Sequence, residues 1–79
     1  MKHNEFDNAF EFVFMAVNSG FTVRDQEGDQ ECGDLCRAKV IVAEDNGEPT
    51  GRFFVDNDFP RGWGFLFPTP EAYREYLIS

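Results

Sequence analysis

The stretch that decides the fold is LCRAKVIVAEDNGEPTGRFFV, residues 35–55. Residues 35–43 alternate with the period of a β-strand, which would place one set of side chains on a common face: Cys36, Ala38, Val40 and Val42. Residues 44–51 are predicted to form a turn, because Asn-Gly and Pro are strong turn signals. Residues 52–55 then return as the second strand of an antiparallel hairpin.

Shorter signals on both sides of this hairpin predict further strands and a second helix. Residues 21–24 and 63–67 are predicted to be short strands. Thr69-Pro70-Glu71 is typical of a helix start, with Thr as the N-cap and Pro at the first helical position. This helix is expected to bury Ala72, Tyr73, Tyr76 and Leu77. The order α-β-β-β-β-α predicts an α+β fold: an N-terminal helix, a three- to four-stranded antiparallel sheet and a C-terminal helix.

Residues 5–18 are predicted to form the N-terminal helix. Asn4 is a suitable N-cap, and Gly20 is a suitable residue to end the helix. A strand is the competing interpretation, because Phe recurs at every second position from residue 10 to residue 14. The helical spacing favours the helix and predicts a core-facing stripe: Phe6, Ala9, Phe10, Val13, Phe14 and Val17.

Phe12 and Met15 fall on the opposite side of this predicted helix, among polar residues. Two large apolar side chains away from the core indicate a contact with a partner or with a second copy of the chain. The alternative is that another element of a small aromatic core covers them.

The length of the chain allows one compact domain, residues 1–79. A chain this short buries a limited fraction of its surface, and ten Phe, two Tyr and one Trp supply apolar area in compensation. The N-terminal residues lack the apolar segment of a secretory signal. The longest apolar run, residues 12–17, is too short to span a bilayer. We therefore expect a cytoplasmic protein, either a monomer or a homodimer.

Carboxylates occupy every second position from residue 25 to residue 31, and one more follows closely: Asp25, Glu27, Asp29, Glu31 and Asp34. On an extended backbone the first four would share a face, about 7 Å apart. Like charges in a row repel one another and add nothing to a core. This acidic row therefore predicts a surface that a positively charged partner recognises.

The net charge of the whole chain agrees with a basic partner. The chain has 15 Asp and Glu against 7 Lys and Arg, a net charge of −8, and ten of these acids but only three bases lie in residues 25–58. Such a field disfavours nucleic acid and anionic membranes as direct ligands and favours cationic proteins. The simpler alternative is that the charge serves solubility. Further acids predicted to contact a partner are Glu44, Asp45, Asp56 and Asp58.

The loop of residues 58–64, DFPRGWG, is a second candidate contact. It contains Phe59 and Trp63, and Trp and Arg are the residues most enriched among interface hot spots. The alternative is that Trp63 closes the edge of the core, as a lone Trp in a small domain commonly does.

Cys32 and Cys36 do not suggest a metal or catalytic site. Zinc requires four ligands, and the only His is His3. The neighbouring Glu31 and Asp34 would raise a thiol pKa, which disfavours a reactive thiolate. An EF-hand is excluded because neither register of the acidic row places Gly and Glu where calcium needs them. We expect no cofactor and no bound metal.

The sequence offers little for catalysis. Ser occurs only at positions 19 and 79, so no Ser-His-Asp arrangement can be assembled, and no phosphate-binding loop is present. We expect a non-catalytic acidic inhibitor that binds a basic, nucleic-acid-binding surface of an effector or nuclease, of the phage anti-defence or anti-CRISPR type. The alternatives are an antitoxin, a nuclease immunity protein, an interaction module acting through apolar contacts, or a divalent-metal or redox-responsive protein that uses residues 25–36.

Overall fold

A computed structural model describes residues 3–26 and 38–78. In chain order the elements are β1 (Asn4–Asn8), α1 (Ala9–Asn18), β2 (Thr22–Asp25), β3 (Val40–Asp45), β4 (Glu48–Val55), β5 (Arg61–Leu66) and α2 (Pro70–Ile78). The five strands form one antiparallel sheet in the order β1-β5-β4-β3-β2. The predicted α+β class is confirmed, with one strand more than expected, and that strand precedes the first helix.

The β3–β4 hairpin is confirmed, with a much shorter turn than predicted. Only Asn46 and Gly47 lie outside the strands, and Asp45 pairs with Glu48. Asn46 and Gly47 have φ angles of 53° and 86°, the left-handed pair that a two-residue hairpin turn requires. Pro49 is accommodated within β4 because the pairing register shifts beside it, where a residue can do without a ladder hydrogen bond.

The first helix begins later than predicted, because residues 4–8 form strand β1. The N-cap is Asn8 and not Asn4. The Asn8 side chain accepts hydrogen bonds from the backbone N–H groups of Phe10 and Glu11, at 2.9 and 3.4 Å. The predicted end is confirmed: Gly20 donates to the Val17 carbonyl at 3.0 Å, and the next residue donates to the carbonyl of Ala16 at 3.0 Å. These two bonds form a Schellman motif.

The predicted core face of this helix is confirmed for Ala9, and Phe6 and Val13 pack against the core. It is wrong for Phe10, Phe14 and Val17. Ala9, Phe12 and Ala16 have no exposed surface, whereas Phe10 and Phe14 are 63 and 69% exposed. The buried residues are spaced i, i+3 and i+7, so they do share one face. The two alanines have small side chains, which lets the helix axis approach the sheet closely enough to enclose the Phe12 ring. Phe12, predicted to lie away from the core, is therefore at its centre.

Two apolar clusters lie on opposite faces of the sheet. Beneath α1 the buried cluster is Ala9, Phe12, Ala16, Val23, Ala38, Ile41, Ala43, Phe53 and Leu66. On the other face α2 covers a smaller one, Phe65, Phe67, Ala72 and Tyr73. The prediction that α2 also buries Tyr76 and Leu77 is wrong, because they are 44 and 57% exposed.

The start of α2 is as predicted. The Thr69 hydroxyl accepts a hydrogen bond from the N–H of Ala72 at 3.1 Å, and Pro70 is the first helical residue. One turn further on, the buried Tyr73 hydroxyl meets the guanidinium of Arg52 on β4. This contact fixes α2 over β4 and the neighbouring end of β5. Neither described helix is long and apolar enough to cross a membrane.

Candidate protein-binding surface

The outer side of α1 carries a row of exposed apolar side chains. Phe10, Phe14 and Val17 are spaced i, i+4 and i+7, and their exposed fractions are 63, 69 and 53%. Phe59, from the loop between β4 and β5, packs edge-on against Phe10 with 5.3 Å between ring centroids. Single exposed apolar residues are ordinary, whereas a contiguous apolar patch is typical of an interaction site.

An open groove lies beside this row, between α1 and β1. It has a volume of about 590 Å³, and we call it the α1 groove. Two residues of β1 and four of α1 line it: Glu5, Phe6, Phe10, Glu11, Phe14 and Met15. Because none of these residues comes from β5, the groove opens on the outer side of β1 and not toward the middle of the sheet.

The two charged residues that line the α1 groove, Glu5 and Glu11, are both acidic, and Arg61 lies beside Asp7 at the start of α1. Residues 3–18 contain Glu5, Asp7 and Glu11 but no Lys or Arg, and all three carboxylates are exposed. His3 Nε2 lies 3.5 Å from a Glu5 oxygen, yet the Glu5 side chain is still 62% exposed. An apolar floor with an acidic rim is complementary to a partner segment that has both apolar and basic side chains.

Most of the acidic row predicted at residues 25–34 lies outside the described residues. Asp25, its first member, is half-buried at the end of β2, opposite Ile41 of β3. Glu27, Asp29, Glu31 and Asp34 are not described, and the same holds for Cys32 and Cys36.

The other predicted acids do not form one surface. Glu44 and Asp45 precede the β3–β4 turn, whereas Asp56 and Asp58 lie beyond the opposite end of β4, a strand of eight residues. Glu44 also has a structural partner, because an oxygen of its carboxylate lies 3.0 Å from Arg24 and its side chain is only 14% exposed. Asp56 and Asp58 are exposed.

Phe59 and Trp63 lie on different sides of the sheet. Phe59 is half-buried and packs against the cluster beneath α1. Trp63 is 45% exposed on the α2 side, where its ring is nearly parallel to Phe54, at 7° and 6.1 Å between centroids. The Trp63 indole N–H points to Glu5 at 3.5 Å. The loop therefore does not present the two aromatic residues together, as a single contact would require.

The described residues contain no group of three or more His, Cys, Asp or Glu side chains placed to hold a metal ion. Burial raises the pKa of Tyr73 above its ordinary value, while the adjacent Arg52 acts in the opposite direction by charge and by hydrogen bonding. The Tyr73 side chain is enclosed between α2 and the sheet, on the face opposite α1.

Sequence reasoning missed Phe10 and Phe14 as surface residues because it assigned them to the core. The signal that could have placed them outside is the pair of alanines, Ala9 and Ala16, on the opposite face. No protein-family model matches the chain, and no curated protein and no solved structure matches it either.

Proposed function

We propose that the chain is a non-catalytic acidic protein that binds a basic surface of a protein partner, with the outer side of α1 as the principal contact. The observation that supports this proposal is the combination of an exposed aromatic row with a groove whose two charged lining residues are both carboxylates. Phe10 and Phe14 are the most exposed aromatic residues of α1, and Glu5 and Glu11 line the groove beside them.

Apolar contact and charge would contribute differently to such a complex. Phe rings removed from water supply affinity at about 25 cal/mol per Å² of buried apolar area, less the costs of association. The carboxylates would mainly accelerate encounter with a cationic partner and exclude partners of the wrong charge. A net charge of −8 on 79 residues provides a strong field for this purpose.

The partner class that fits best is a protein whose basic surface normally binds nucleic acid, such as a nuclease or another effector. Carboxylates at the chain's surface would occupy positions that phosphates otherwise take, which makes the chain an inhibitor of the anti-defence type. An antitoxin or a nuclease immunity protein would use the same chemistry. In each case we expect the chain and nucleic acid to compete for the partner.

The experiment is affinity capture with the tagged chain, followed by calorimetry with the purified captured protein. The test variant is Phe10→Ser combined with Phe14→Ser. The matched control is Leu77→Ser combined with Ile78→Ser, which removes exposed apolar residues from α2, 57 and 84% exposed. We expect the test variant to raise Kd at least about tenfold and the control to change it less than about twofold.

Salt and competition complete this test. Raising the salt concentration should weaken the complex, and nucleic acid should displace the chain from its partner. The proposal would be contradicted if the affinity stayed the same at high salt and also in the variant with Phe10→Ser and Phe14→Ser. A captured protein without a basic surface would contradict it equally.

The acidic row of residues 25–31 can be tested separately in the same assay. Replacing Asp25, Glu27, Asp29 and Glu31 by their amides should weaken binding and reduce its salt dependence. Unchanged affinity in this quadruple variant would remove the row from the binding surface and leave the α1 contact standing.

A further inference from the structure

Within residues 3–26 and 38–78, strand β1 has a hydrogen-bonded neighbour, β5, on one side only, so it forms one edge of the sheet. Its five residues, Asn4–Asn8, therefore present a second row of backbone N–H and C=O groups outward. An edge of this kind accepts an additional strand unless charge, a bulge or a covering element prevents it. The register shift between Phe6 and Asn8 limits the regular part of this edge to its first three residues.

A strand added to β1 would meet a different environment on each face. On the α1 side it would border Phe6 and the α1 residues that line the groove. On the other side it would border Glu5, which pairs with Phe65 and lies beside Trp63. Because successive side chains of a strand point to opposite faces, the added strand would need apolar residues at alternate positions and basic residues between them.

Charge favours a basic segment over a second copy of the chain as the strand added to β1. Antiparallel pairing of two β1 strands would bring the Glu5 and Asp7 carboxylates of both copies close together, and like charges across strands are destabilising. Two chains of charge −8 would also repel one another at long range. A segment with Lys or Arg at alternate positions reverses the sign of both effects.

We propose that an extended segment of the partner, with alternating apolar and basic residues, adds to the outer edge of β1 as a sixth strand and places its apolar side chains in the α1 groove. This inference rests on the proposed function and specifies the binding mode of the basic partner. Main-chain hydrogen bonds would hold the segment in place, while the groove and Glu5 would select its side chains.

The test uses defined peptides and the isolated chain, so it does not depend on identifying the partner. The probe is acetyl-Lys-Val-Lys-Val-Lys-Val-Lys-amide, and the control peptide has Glu in place of every Lys. In an NMR titration we expect the Lys peptide to shift the amide signals of residues 4–8 and of Phe14, and to leave those of β2, the opposite edge, unchanged. Absence of binding, or shifts confined to β2, would overturn the inference.

Two N-methylated versions of the Lys peptide then test strand addition directly. One carries N-methyl groups at the even positions and the other at the odd positions. In an added strand only alternate N–H groups bond to the edge, so one version should lose at least about tenfold in affinity and the other should bind like the parent peptide. Equal effects of the two methylation patterns would exclude edge pairing.

Side-chain variants of the chain separate the two faces of the added strand. Phe14→Ser and Glu5→Gln should each weaken the Lys peptide at least about threefold, whereas Leu77→Ser should leave its affinity unchanged. Insensitivity to both test variants would overturn the inference. The proposed function would still be tested by the affinity-capture experiment, because a folded partner surface can bind the exposed row of α1 without adding a strand.

Discussion

The two faces of the sheet are covered to different extents by helices of nearly equal length. Beneath α1, with ten residues, Phe12 and Phe53 have no exposed surface. On the opposite face α2, with nine residues, covers Phe65 and Tyr73 but leaves Phe54 43% exposed. The difference indicates that the α1 side carries most of the packing energy. The inner face of α1 is buried, whereas the apolar side chains of its outer face remain exposed.

The largest expected effect is the loss of the central ring beneath α1. Phe12 contacts the rings of Phe6 and Phe53, at 5.8 and 5.6 Å between centroids. Phe12→Ala should lower the free energy of unfolding by about 3–5 kcal/mol, because it removes a fully buried ring and leaves a cavity. Urea denaturation followed by circular dichroism measures this change.

Two other phenylalanines provide the comparison. Phe54→Ala, on the open part of the α2 side, should cost only about 1 kcal/mol, and Phe14→Ala, on the outer face of α1, less than about 0.5 kcal/mol. A loss at Phe54 as large as that at Phe12 would show that the two faces of the sheet contribute equally.

The orientation of α1 could not be read from the apolar pattern alone. Eight of its ten residues are apolar, so a stripe can be drawn along several sides of the helix. Helical spacing led the prediction toward Phe10 and Phe14, whereas close packing against a sheet favours a face with small residues. The hairpin turn at Asn46-Gly47 and the helix start at Thr69-Pro70 were predictable because their signals are local.

Strand β1 was missed for a different reason. Its sequence, Asn-Glu-Phe-Asp-Asn, has little intrinsic preference for a strand. It is extended because it pairs with β5, more than fifty residues away along the chain. A contact this distant leaves no local signal, so neither the edge strand nor the α1 groove could be derived from the sequence.

The second-largest loss of stability is expected at Gly64, where β4 and β5 pack closely beneath α1. A Cβ atom at Gly64 would lie 2.5 Å from Cδ2 of Phe53 and 2.7 Å from the Arg52 carbonyl oxygen. Gly64→Ala should therefore cost about 1–3 kcal/mol through overpacking. The cost should be smaller in a Phe53→Val background, because valine has no δ carbon at the clashing position; equal costs in both backgrounds would assign the strain to the backbone alone.

A smaller effect is expected on the α2 side, at the contact between Tyr73 and Arg52. Tyr73→Phe removes this hydrogen bond and should lower the free energy of unfolding by about 1–2 kcal/mol at neutral pH. Arg52 keeps a second partner, because its Nε donates to the Gln26 side chain at 3.1 Å. The loss should therefore stay below that at Phe12.

The pH dependence of Tyr73→Phe has a definite sign. The folded-state pKa of Tyr73 is raised above the ordinary value of 10.0, mainly by burial, so the folded state holds its proton more tightly than the unfolded state. The stability that the raised pKa of Tyr73 contributes is fully present below about pH 10 and is lost as the pH rises toward the folded-state pKa. Tm should fall less steeply above pH 10 in Tyr73→Phe than in the parent chain; parallel curves would contradict the raised pKa.

The smallest effects are expected at two ion pairs that differ in burial. Glu44, with its side chain 14% exposed, meets Arg24 at 3.0 Å, whereas Glu48, 57% exposed, meets Arg74 at 2.7 Å. Glu48→Gln should change the free energy of unfolding by less than about 0.5 kcal/mol, because water and salt screen an exposed pair. Glu44→Gln should cost about 1 kcal/mol, since it leaves a half-buried guanidinium with a weaker partner.

Denaturation of both variants at low and high salt measures the difference, and a larger loss at Glu48 would mean that the shorter distance outweighs burial. If Glu44→Gln lowers stability and leaves partner affinity unchanged, this acid belongs to the fold and not to the binding surface.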